Sequence, residues 1–415
     1  MAAANPAVAS PTILDLPSLD LASSRAYRHA AIDLLRGLVI VVMAVDHVRD
    51  YFLAGTSVDP MADPNVSAGL FAVRWITHFC APVFVLLAGT SAGLMAGRKS
   101  RRELARFLFT RGVWLIAVEI FVVSTAWSFA PRGIAQAGGL TWTSMQVIWA
   151  IGASMVALSA LQWLGRNACL ALGIAVVAAH NLLDPMWPAS QLFDQHWPVW
   201  VALHSPMSLA AGPFLFVFRY PLLPWIGVML LGFGGSRVFV LPPARRNALL
   251  LRGGALVALG FLLLRASGLY GDPNPWQVQP GGAMATAIDF LNVTKYPPSL
   301  LFLMMTLGPA AVVFAFADRV PDGIKNVLVT FGRAPFAFYV AHLYLIHSLS
   351  VLLGVAQGFT LDQTMTNSRF YPHGFGLGPF AVFVAWVLVV AALYPLCRWI
   401  ADVKARRRDW WLSYV

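Results

Sequence analysis

The sequence predicts an all-α polytopic membrane protein with about ten transmembrane helices and both termini in the cytoplasm. Three observations carry this expectation. Apolar residues fill 59% of the 415 positions, charged residues only 11%, and the basic residues fall in the gaps between long apolar runs. A soluble chain of this length needs far more charged surface than 29 basic and 18 acidic residues supply, so lipid must cover most of the exterior. The mean hydropathy of +0.69 points the same way.

In chain order, residues 1–31 are rich in Ala, Ser and Pro and lack the basic-then-apolar order of a cleavable signal. They read as a flexible cytoplasmic tail. Apolar runs long enough to span follow at 32–53, 68–96, 107–129, 145–164, 167–183, 220–240, 248–268, 298–318, 328–353 and 379–400. Together they form a single transmembrane domain over 32–403, and 404–415 reads as a basic-aromatic cytoplasmic tail. Ten spans put both ends on one side. The tails and loops on that side hold sixteen Lys and Arg against four in the opposite loops, which assigns the termini to the cytoplasmic side of a bacterial inner membrane. The segment 198–218 is apolar enough to insert but contains Pro206 and Pro213, so it reads as a re-entrant or interfacial piece on the outer side.

The net charge of +11 belongs to this topogenic pattern and gives no reason to expect nucleic acid as a partner. Cys80, Cys169 and Cys397 lie in apolar segments without paired spacing, so neither a disulfide framework nor a metal site is expected. No internal repeat of the kind that marks many transporters is visible.

Ionisable groups inside spans are the informative ones, because each costs roughly 2.5–3.5 kcal/mol to insert. The first span concentrates them: Asp33 and Arg36, a clean apolar run, then Asp46, His47, Arg49 and Asp50. On a helix, Arg36 and His47 fall within about 20° of alignment, separated by about 16 Å of rise. Asp33 lies about 40° from His47, so a polar stripe runs along one face and must meet protein or water. Asp33 with Arg36, and Asp46 with Arg49, also read as helix-end ion pairs at i, i+3. That reading leaves His47 unexplained, past mid-membrane and without a partner in sequence, and makes it the leading candidate for a catalytic imidazole.

The spacing of Arg36 and His47 in a first span resembles the pattern of bacterial membrane O-acyltransferases that decorate cell-surface sugars. Longer stretches resemble the bacterial heparan-α-glucosaminide N-acetyltransferase-like family: AIDLLRGLVIVVMAVDHVRDYF at 31–52, APVFVLLAGTSAGL at 81–94, KYPPSLLFLMMTLGPA at 295–310 and FGRAPFAFYVAHLYLIH at 331–347. The resemblance runs from about residue 28 to the C-terminus. It implies a transmembrane acyltransferase with acetyl-CoA or another acyl-CoA as donor, and a His in or near the first span as base or acyl carrier. In the lysosomal enzyme that names the family, the catalytic His belongs to the loop after the first span. Residues 53–67 here contain none, which leaves His47 and His78 as the catalytic candidates, with Asp46 beside His47.

Chemistry sorts the remaining candidates. Transfer from a thioester needs a base or a nucleophile, and a neutral imidazole serves as either. His78 sits at the outer end of a second span that returns antiparallel to the first, so it is expected near His47, as a second catalytic imidazole or as a packing residue lining the bundle. Acyl-CoA phosphates require fixed cations at the cytoplasmic face. Arg36, Arg102, Arg106 and Arg111 are the candidates, while Arg98, Lys99 and Arg101 read as topogenic charges. Lys295 and Tyr296, at the outer start of the eighth span, and His342 in the ninth are candidates for acceptor contact; the first two also read as interfacial anchors.

His342 and His347 diverge by about 140°, so at most one faces the site. His180, His196, His204 and His373 read as interfacial or loop residues, and Trp276 as a belt residue or a sugar platform. The expected partners are acyl-CoA, a sugar, glycan or lipid-linked acceptor, and the bilayer, with a homo-oligomer left open. A transporter or flippase is the rival reading, since intramembrane ions also suit a translocation path. A non-enzymatic scaffold has no use for a polar face on its first span.

Overall fold

The computed structural model describes residues 18–55, 60–61, 63, 66–130, 132–186, 197–407 and 409–414. Helix α1 (Ser18–Phe52) crosses the whole bundle. It begins well before residue 32, so positions 18–31, expected in the tail, lengthen the first helix; residues 1–17 of that expected tail lie outside the described residues. Helices α2 (Ala68–Thr77) and α3 (Cys80–Met95) make one crossing broken at His78 and Phe79. The return crossing is α4 (Arg101–Val118), a π-helical turn at Glu119–Val123, and α5 (Ser124–Ser128). A capping box of Ser100 and Glu103 satisfies the first donors of α4 and starts it earlier than its apolar run.

Strand β1 (Thr141–Met145) precedes α6 (Val147–Leu161) and α7 (Arg166–Ala179). Then come α8 (Trp197–Leu203), β2 (Met207–Ala211) and β3 (Phe214–Phe218). Helices α9 (Leu222–Gly235), α10 (Pro243–Ser267), α11 (Ala283–Leu291) and α12 (Leu300–Ala315) follow. The chain ends with α13 (Asp322–Arg333), α14 (Pro335–Ala356), the single turn α15 (Leu361–Thr364) and α16 (Pro379–Arg406). Among the described residues, eight helical stretches are long and apolar enough to cross a membrane. The charge-bearing α1 and the shorter apolar α12, of 16 residues, stand beside these eight in the bundle.

Two segments differ from the sequence expectation. The run read as one span at 328–353 is two helices: α13 is amphipathic and stops at Arg333, and Pro335, which has no N–H to give and clashes with a preceding turn, opens α14. Segment 198–218, expected as a re-entrant or interfacial piece, is no re-entrant helix. It forms α8 and a β-hairpin whose strand β3 pairs antiparallel with β2 and parallel with β1. Pro206 lies before β2 and Pro213 in the hairpin turn, where neither has to donate to the ladder. The sheet marks one end of the bundle, called here the sheet face. The opposite end, with the start of α1 and the Arg98-Lys99 loop, is the basic face.

Close backbone approach locks the basic face. A Cβ on Gly37 would stand 1.8 Å from the Leu328 carbonyl oxygen, and one on Gly332 would stand 1.7 Å from that of Asp33. Helix α13 is thereby held against the start of α1, with Arg333 Nε 3.9 Å from the Asp33 carboxylate. The C-terminal residues fold back too. The Tyr414 hydroxyl is 2.9 Å from that of Thr110, and its ring meets Trp114 edge-on.

Candidate functional site

His47 Nδ1 lies 2.7 Å from Nε2 of His342, and His342 Nδ1 lies 3.0 Å from the Phe338 carbonyl oxygen. A carbonyl only accepts, so His342 Nδ1 carries a hydrogen and, in neutral His342, Nε2 is the lone-pair nitrogen. His47 Nδ1 therefore donates, and His47 Nε2 is left bare. The His342 ring is wholly buried behind His47 and is not part of the wall of the cavity that His47 lines. Trp127 meets the His47 ring edge-on at 5.0 Å.

Around this imidazole the chain builds a cavity of about 120 Å³ toward the sheet face, lined in part by His47, Asp50, Arg219, Lys295, Tyr296 and Arg369. Asp46 lines it as well, but its carboxylate is bound by Arg49 at 2.9 Å and by Arg74, so it does not orient His47. Arg49 also reaches Asp50 at 2.6 Å. Tyr296 lies where burial raises a phenol, yet Lys295, Arg74 and Arg219 outweigh burial and lower it below its ordinary value.

His78 does not join His47. It ends α2 and lines a neighbouring cavity of about 350 Å³ with Arg265, Asn274 and Asp289, its Nδ1 buried and without a hydrogen-bond partner. Lys295, Tyr296 and Arg74 form the wall common to these two spaces.

From the basic face a larger cavity of about 870 Å³ enters the bundle. Its walls are mainly apolar, and Arg36, Arg111, Arg333 and Lys404 are its cations. Arg36 is held by Asp33 at 3.1 Å and by the Ser91 hydroxyl. Arg111 Nη1 is buried without a hydrogen-bond partner, a donor suited to an incoming phosphate. Arg102 and Arg106 are exposed and do not line this cavity. They sit about 180° and 140° around α4 from Arg111, so one helix cannot aim all three inward. Lys404 and Arg333, which no sequence signal singles out, take their place.

The His47 cavity and this larger one share four residues, Met43, Phe84, Val147 and Tyr339. These make a thin apolar partition with His47 on one side and the four cations on the other.

Elsewhere, His180 and His204 are buried rather than loop-exposed, with His204 bound to Asp184. His347 Nδ1 is 2.6 Å from the Ala126 carbonyl oxygen, away from His47. Glu119 accepts the Trp149 backbone N–H at 2.8 Å. Trp276 packs edge-on against Phe290. His196 lies outside the described residues. Sequence reasoning passed over Arg74, Arg219 and Arg369; the signal of Arg74 was a charge inside a span, and that of the other two a cation on the side where cations are scarce.

A family model described as heparan-alpha-glucosaminide N-acetyltransferase, catalytic, matches residues 28–263. The match takes in Arg36, His47, His78, Arg111 and Arg219, and stops before Lys295 and His342. No curated protein matches the chain significantly.

Proposed function

The chain belongs to the heparan-alpha-glucosaminide N-acetyltransferase catalytic family, and from that membership we propose that it moves an acetyl group from acetyl-CoA at the basic face to an amine or hydroxyl of a glycan at the sheet face. The observation that carries this reading is the bare Nε2 of His47, fixed by the His342–Phe338 chain at the edge of a partition between two oppositely opening cavities. In this reading the basic face is cytoplasmic, as the excess of Lys and Arg there requires, and the membrane is a bacterial inner membrane. Residues 32–403 act as one catalytic domain.

Arg36, Arg111, Arg333 and Lys404 hold the donor phosphates, and the pantetheine arm runs up the apolar cavity toward Met43 and Tyr339. At the partition, His47 Nε2 takes a proton from the acceptor as its nitrogen or oxygen attacks the thioester carbonyl. The new C–N or C–O bond forms, the C–S bond breaks, and CoA leaves toward the basic face with its sulfur taking up a proton. The same nitrogen can instead attack the carbonyl itself, giving an acyl-imidazole that the acceptor then discharges.

The test is transfer of labelled acetyl from acetyl-CoA to an amino sugar by the purified protein. Label retained on the chain before acceptor is added, and lost in His47→Ala, selects the acyl-imidazole route. Replacing Arg36 or Arg111 by Ala should weaken acetyl-CoA binding, and unchanged affinity in both variants removes the donor track. Solute uptake without acetyl transfer would replace the enzyme by a transporter, to which two opposed cavities are equally suited.

A further inference from the structure

Only four Lys or Arg occupy the sheet-face loops, and three of them, Arg219, Lys295 and Arg369, line the cavity that holds His47. They come from three distant parts of the chain. Arg219 follows β3, its N–H bonded to the Met145 carbonyl at 3.2 Å, so the sheet holds it at the cavity wall. Arg369 sits on a 3-10 turn whose cap is Asn367, and Lys295 lies with its ammonium 5.3 Å from the centre of the Tyr296 ring.

The other charges around this cavity cancel. Arg49 and Arg74 are paired with Asp46 and Asp50. Arg219, Lys295 and Arg369 make no salt bridge with any described residue. Burial, and after it the Arg369 charge, pushes the Arg219 guanidinium below its ordinary value, and the opposing pull of Asp50 does not reverse that shift. Topogenesis does not explain these cations, since it keeps Lys and Arg off this face.

We infer that Arg219, Arg369 and Lys295 form an oxyanion-binding subsite, so that the acceptor is an amino sugar carrying a phosphate or carboxylate close to the atom that is acetylated. Two guanidiniums and an ammonium lining one cavity match the planar forks and point charge that recognise such groups. This deepens the acetyl-transfer reading and rests on it.

The experiment is direct binding, by calorimetry, of glucosamine, glucosamine 6-phosphate and a glucosamine–uronic acid disaccharide to the purified full chain. At least one charged probe should bind about tenfold more tightly than glucosamine, with the advantage shrinking as salt rises. The phosphate and carboxylate arms identify which oxyanion is read. In Arg219→Gln/Arg369→Gln, and separately in Lys295→Met, the advantage should fall to within about twofold.

Equal affinity for neutral and charged sugars in the wild-type chain overturns the proposal without any variant having to fold. Retention of the preference in both variants overturns it too. So does phosphatidylglycerol carried through purification by the wild-type chain but not by the double variant, when no sugar preference is seen. Intact acetyl-CoA binding with no charged-sugar preference sinks this inference alone; an intact preference with no acetyl transfer sinks the enzyme reading alone.

Discussion

His47 and His342 lie 295 residues apart in the chain and 2.7 Å apart through their ring nitrogens, and the Phe338 carbonyl at the far end of this chain of contacts fixes which nitrogen carries each hydrogen. Removing the imidazole in His47→Ala should cost about 10²- to 10⁴-fold in kcat. His342→Phe should lower kcat while leaving the acetyl-CoA KM unchanged, because the ring acts only through His47. His342→Gln should recover part of the loss, since its amide oxygen accepts from His47 Nδ1. Steady-state kinetics on the three variants decide the matter, and wild-type kcat in His342→Phe would remove the orienting role.

The partition predicts a separation of binding from chemistry. Val147 lines both the His47 cavity and the larger one, so Val147→Trp thickens the partition across which, in the acetyl-transfer reading, the thioester must reach His47. Acetyl-CoA binding to Arg36 and Arg111 should persist with transfer largely lost. Loss of donor affinity together with rate would mean that the pantetheine arm does not stop at this wall.

Much of this architecture is legible in the sequence, because lipid leaves little freedom. Long apolar runs must be helices, and a lone imidazole such as His47 among them needs a reason. The pairing of His47 with His342 is not legible, since it depends on how α1 packs against α14, and spacing within one helix carries no information about another. The sheet is not legible either, because the apolar run holding β2 and β3 reads equally as a re-entrant or an interfacial piece, and only pairing with β1 identifies it as strands. Arg219 and Arg369 were visible as rare cations in the outer loops, but a charge count weighs residues by side and ignores which of them converge.

Asp46 holds a buried pair of guanidiniums together. Side-chain exposures are 12% for Asp46, 4% for Arg49 and 7% for Arg74, so neither cation can turn to water when the carboxylate goes. Arg49 keeps Asp50 at 2.6 Å, so Asp46→Asn should destabilise the chain by about 1.5–3 kcal/mol, the range for losing a hydrogen bond to a charged group. Thermal inactivation in detergent reads the loss, and Asp46→Asn/Arg74→Met should recover part of it. If the single Asp46→Asn variant proved as durable as wild type, water would already be screening this cluster.

Helix α13 contains two glycines in opposite circumstances, which makes a controlled test of how the basic face is held. A Cβ on Gly332 would stand 1.7 Å from the Asp33 carbonyl oxygen, whereas one on Gly323 would meet nothing within 4 Å. Gly332→Ala must push α13 off α1, separating Arg333 from Asp33 and disturbing Arg36 at the mouth of the larger cavity. It should raise the acetyl-CoA KM and destabilise by about 1–3 kcal/mol, the range for overpacking, while acceptor binding at the far face holds. Gly323→Ala, in the first turn of α13, should leave KM alone and change stability by no more than about 0.5 kcal/mol, in the stabilising direction. Matched kinetics and melting curves on both variants separate a local clash from a general intolerance of α13 to substitution, and an unchanged donor KM in Gly332→Ala would free the cation cluster from any dependence on this contact.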